Sequence, residues 1–146
     1  MIANSIWVVV ADSNMCRIYH YSKKPMRLSL IKELNHPENK LRDMDITSSK
    51  PGRYQSDNSS HGTYSQQSDP KEIQIDNFFR EIANELDHGR NIQAYENLII
   101  ITTPHMTGLL FKHINKNVKN LVLNNIEKDM TRLPESELLS FLNEHR

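Results

Sequence analysis

Leu98-Ile99-Ile100-Ile101-Thr102 is the stretch on which the fold turns. Four consecutive aliphatic residues with no polar alternation describe a strand covered on both faces, as in a parallel sheet. An antiparallel strand with one wet face would alternate. Thr103-Pro104 ends the run. A parallel neighbour requires a crossover of about a dozen residues or more, usually helical, and a helical pattern lies on each side. Upstream, Lys71 to His88 places Ile75, Phe78, Phe79, Ile82, Ala83 and Leu86 at helical spacing, and Gly89 is the expected left-handed stop. Downstream, Thr103 is a candidate cap with Pro104 at the first helical position. Leu109, Leu110, His113 and Ile114 follow on that helix, and Gly108 weakens its middle.

Beyond that helix, Val118 to Glu127 sets Leu121, Leu123 and Asn125 against Val122, Asn124 and Ile126, which suits a further strand. Pro134 to Glu144 reads as a terminal helix with Leu138, Leu139, Phe141 and Leu142 inward. Toward the amino terminus, Ile6 to Ala11 is rich in β-branched residues and stops at Asp12-Ser13-Asn14, whose side chains bond nearby backbone and favour a turn. Met15 to Tyr21 alternates Cys16, Ile18 and His20 against Met15, Arg17, Tyr19 and Tyr21, so it should return antiparallel to the first strand. After Lys23-Lys24-Pro25, Leu28 to Leu34 supplies a third strand with Leu28, Leu30 and Leu34 expected on one face. The order is βββ, loop, αβαβα. Three antiparallel strands feeding two right-handed crossovers give the five-stranded mixed sheet of a ribonuclease-H-like α/β fold. Residues 1–146 are expected to form a single α/β domain, because a chain of this length can bury roughly 68–70% of its unfolded surface.

Between the third strand and the first helix the composition changes. From Asn35 to Pro70 there are seven Ser, two of the four Gly and three Pro, while the aliphatic residues are Leu41, Met44 and Ile46. The region reads as a long polar loop at 35–70, and loops of that length in compact domains are commonly functional or disordered. Within it, Lys50-Pro51-Gly52-Arg53-Tyr54 puts two cations and an aromatic ring around a Pro-Gly turn, and His61-Gly62-Thr63-Tyr64 adds a second turn with an aromatic. Such mixtures stack on bases and pair with phosphates. Lys50, Pro51, Gly52, Arg53, Tyr54, His61, Gly62 and Tyr64 are therefore the candidate binding residues. The competing reading is a solvated loop whose acidic residues offset its cations.

Charge and motif content narrow the chemistry. Eighteen basic residues balance eighteen acidic ones, so the molecule as a whole has no attraction for nucleic acid or an anionic membrane. No run approaches the roughly eighteen apolar residues of a membrane span, and the first residues do not read as a signal peptide. Cys16 stands alone in an apolar stretch, which favours a reducing, cytoplasmic setting and an inert core thiol. The His residues at 20, 36, 61, 88, 105, 113 and 145 never pair at metal-ligand spacing, so no metal is expected. Asp12 closes the first strand as a nuclease acid would, but the strand ending in Thr102-Thr103-Pro104 lacks the acid that a two-metal centre requires. Gly residues at 52, 62, 89 and 108 build neither a phosphate loop nor a dinucleotide turn, and no cofactor is expected.

Several stretches taken together carry a resemblance: Trp7-Val8-Val9-Val10-Ala11-Asp12, Arg17-Ile18-Tyr19, Lys50-Pro51-Gly52-Arg53, Glu127-Lys128-Asp129-Met130-Thr131 and Leu133-Pro134. In this order, across almost the whole chain, they resemble the bacterial host-attachment protein family. The resemblance implies a fold related to the middle domain of eukaryotic and archaeal peptide-chain release factors, and through it a connection to the ribosome or RNA. In those factors a Gly-Gly-Gln loop enters the peptidyl-transferase centre. Here no two glycines are adjacent, and His61-Gly62-Thr63-Tyr64-Ser65-Gln66-Gln67 spaces its Gly and Gln differently. The expectation is a noncatalytic binding or adaptor protein whose partner is the ribosome, RNA or another protein. The alternatives are a hydrolase of peptidyl-tRNA or RNA acting through loop residues such as Gln66 or His61, and an exported protein in direct contact with host cells.

Overall fold

The structure, a computed structural model, describes residues 5–36 and 70–144. Its five strands are β1 (Ile6–Ala11), β2 (Met15–Lys23), β3 (Met26–Asn35), β4 (Asn97–Ile101) and β5 (Val122–Ile126). The helices are α1 (Pro70–Asn91), α2 (Pro104–His113), the single turn α3 (Lys116–Lys119) and α4 (Glu135–Glu144). The strands form one sheet in the order β3-β2-β1-β4-β5. β1 and β2 pair antiparallel, as do β2 and β3, while β4 runs parallel to both β1 and β5. This is the ribonuclease-H-like arrangement expected from the element order.

Every residue of β1 is buried, because the sheet is covered on both sides. On one side Trp7, Val9, Cys16, Ile18, Leu98 and Ile100 pack under Phe78, Phe79, Ile82 and Leu86 of α1 and Leu110 of α2. On the other, Val8, Val10, Tyr19, Tyr21, Ile99 and Ile101 pack under Leu138 and Leu142 of α4. The alternation read along β2 thus sorts its side chains between two cores, each such burial stabilising by roughly 1.5–3 kcal/mol. Leu139 and Phe141 of α4 are half-buried against the second core. No described helix is long and apolar enough to cross a membrane.

Four local expectations are corrected. The helix does not stop at Gly89 but runs through it to Asn91, and the left-handed residue is Gln93, with φ 58°. Gly89 is needed for close approach instead: a Cβ there would stand 2.6 Å from the six-membered ring of Trp7. Leu34 does not share a face with Leu28 and Leu30. Leu30 lies opposite Tyr19 and Lys32 opposite Ile18, so Ile31 is an extra residue in the ladder. That bulge turns Leu34 toward the first core, where it packs. The strand expected from Val118 begins at Val122, since Asn115 accepts the Val118 N–H at 2.9 Å and winds 116–119 into the turn α3, with Val118 buried. Finally, Asn35 belongs to β3 and Pro70 to α1, so the polar stretch begins and ends inside the expected limits.

Candidate binding groove

Asp12 follows the last residue of β1 and folds back as a turn. Its Oδ1 accepts the N–H groups of Asn14 at 2.8 Å and Met15 at 2.9 Å, the local bonding that makes Asp a turn residue. Its other oxygen, Oδ2, lies 3.2 Å from the Thr131 hydroxyl. That hydroxyl also donates to Asp129 Oδ1 at 2.7 Å, and the Thr131 N–H reaches the same oxygen at 3.2 Å. With one hydrogen to give, the hydroxyl serves Asp129 first by distance. Arg17, on β2, donates from Nη1 to the Thr131 carbonyl at 2.9 Å.

These bonds bring the start of β2 and the segment leading into α4 to the two sides of a groove of about 790 Å³. Tyr19 and Leu30 lie on the sheet side, and Arg132, Leu133 and Pro134 on the helix side. Burial pushes the Tyr19 phenol above its ordinary pKa, against the opposing pull of the Arg17 guanidinium. Asn14, Asn35 and Arg132 are exposed at the rim. Of the two carboxylates among the described lining residues, Asp12 is turned inward as a structural acceptor and Glu135 is exposed, as are Arg132 and Asn35. Among the described residues no group of three or more His, Cys, Asp or Glu is placed to hold a metal.

The site lies at the carboxyl ends of the parallel strands, where ligands of open α/β sheets bind. Thr102, just past β4, donates its hydroxyl to the Ala11 carbonyl at 2.7 Å and is buried there. The chain leaves β3 at this same edge. His36 is buried, its N–H donates to Asn14 O at 2.9 Å, and its ring stacks on Phe78 at 5.1 Å between centroids. Phe78 lies about two turns into α1 from Pro70. The candidate residues Lys50, Pro51, Gly52, Arg53, Tyr54, His61, Gly62 and Tyr64 lie outside the described residues.

A family profile described as "Protein required for attachment to host cells" matches residues 7–142. The chain belongs to this family. The groove unites Asp12, Arg17 and Tyr19 with Thr131, Leu133 and Pro134, all drawn from stretches that carried the host-attachment resemblance. Those residues were visible in the sequence as likeness to the family but not as a site, because Asp12 and Thr131 are 119 positions apart. Among curated proteins, none matches the chain. Among solved structures, an archaeal translation termination factor, aRF1, is similar with a TM-score of 0.51 at 12% identity, covering 97% of this chain and 38% of that one. A second, titled "Archaeal protein", has a TM-score of 0.49 at 13% identity with the same coverage. The host-attachment chain thus spans 38% of the length of either neighbour, and the first likeness shows its fold.

Proposed function

We propose that the protein is a noncatalytic binding member of the host-attachment family that contacts structured RNA of the ribosome. The contacting surface is the carboxyl-terminal edge of the sheet together with the segment bearing Lys50, Pro51, Gly52, Arg53, Tyr54, His61, Gly62 and Tyr64. One observation carries the reading: Asp12 is occupied in holding the groove together, while Arg132 and Asn35 are exposed on the groove, where Glu135 is the exposed acid among the described lining residues. Guanidinium groups and amides suit phosphate oxygens and sugar hydroxyls. The fold it shares with a translation termination factor supports a ribosomal partner. On this reading the requirement for host attachment acts indirectly, from the cytoplasm, through the synthesis of other proteins.

Cosedimentation of the purified protein with ribosomes at two salt concentrations tests it. The Lys50→Ala, Arg53→Ala and Arg132→Ala variants should bind more weakly, each lowering the salt slope by about one. Failure of the wild type to cosediment, or identical binding by all variants, defeats the proposal. Multiple turnovers of peptidyl-tRNA by the same preparation would favour the hydrolase instead.

A further inference from the structure

A second cavity, of about 280 Å³, lies at the opposite end of α4, bordered by Leu142 of that helix and by Ile6 and Ile99 of the sheet. Its size is just under that of typical ligand sites, which run from roughly 300 to 1,000 Å³. Ile126 extends this aliphatic wall, Asn124 places an amide beside it, and Leu123 is 59% exposed at its margin. Two features are out of place in a merely empty gap. Tyr21 lines the cavity, is 1% exposed, and its hydroxyl has no hydrogen-bond partner among the described residues. Lys23, two residues on along β2, projects from the same face of the sheet as Tyr21. It is the one charged side chain among the described residues lining the cavity.

An aliphatic wall, a buried hydroxyl without a partner among the described residues and one cation on the same strand face together suit an amphipathic anion. We propose that this cavity binds a small amphipathic monocarboxylate, its alkyl body against Ile6, Ile99 and Leu142 and its carboxylate held between the Lys23 ammonium and the Tyr21 hydroxyl. The site is separate from the groove and stands whether or not the protein binds RNA.

Titration of the full-length protein with octanoate, followed by the amide NMR signals of Tyr21, Asn124 and Leu142, tests it. Octanoate should give saturable shifts, and octylamine, of equal length and opposite charge, should bind at least about tenfold more weakly. Lys23→Met alters an exposed side chain and should weaken octanoate about tenfold with the fold intact. Tyr21→Phe should also weaken it while removing the orphaned group. The proposal is overturned if octanoate gives no saturable shift, if octylamine binds equally well, or if neither substitution changes the affinity.

Discussion

The guanidinium of Arg17 donates to the carbonyl of Thr131 at 2.9 Å, tying β2 to the segment that leads into α4. Since the Thr131 hydroxyl donates to the neighbouring Asp129 and lies within reach of Asp12, this one residue joins its own turn to the β1–β2 region, more than a hundred positions away. Thr131→Val keeps the shape and removes the hydroxyl, and should destabilise by about 1–3 kcal/mol in urea unfolding. Thr131→Ser retains the donor and should lose distinctly less. Equal losses for the two would show that the methyl, not the hydroxyl, matters.

Gly89 in the interior of α1 presents a contest of two effects. Alanine is the better helix former by about 1 kcal/mol, yet its Cβ would come within 2.6 Å and 2.8 Å of Trp7 ring atoms and 3.0 Å of Tyr95. Those rings cannot easily retreat: their centroids are 4.8 Å apart, and the Tyr95 hydroxyl donates to the Leu86 carbonyl. Overpacking should win, so Gly89→Ala lowers stability by about 1–3 kcal/mol. A thermal midpoint equal to or above that of the wild type would refute the packing argument.

Asp76 on α1 accepts from His113 Nε2 at 2.8 Å, with Lys112 and Arg80 each 3.6 Å away. The His113 hydrogen bond leads in holding its carboxyl below the ordinary value of 3.8; desolvation opposes it, and smaller charge contributions from His113, Lys112 and Arg80 add to the lowering. A depressed carboxylate contributes its stability above the unfolded pKa and loses it as pH falls through the folded one. The stability gap between wild type and Asp76→Asn should therefore close as pH falls below about 4. A gap that remains undiminished well below about pH 4 would contradict the assignment.

Where periodicity was strong, the sequence reading and the structure agree. Ile6–Ala11 and the run from Leu98 are the two central strands, and Ile75 to Leu86 is the core face of α1. Local signals with two meanings misled: a glycine after a helical run can be a stop or a point of contact, and only Trp7, far off in the chain, decides which. The bulge at Ile31 has no mark in the sequence, because it arises from the fit of β3 to β2. The groove was hidden for a related reason. Turn-forming Asp12 was legible, but its meeting with Thr131 depends on α4 crossing the sheet, which no periodicity encodes.

β1 contributes Trp7 and Val9 to one core and Val8 and Val10 to the other. It is thus a party wall between two rooms, with no layer of its own. Loosening the packing over either face removes support from the strand on which the opposite face is built, so the two layers should melt as one cooperative body and not in succession.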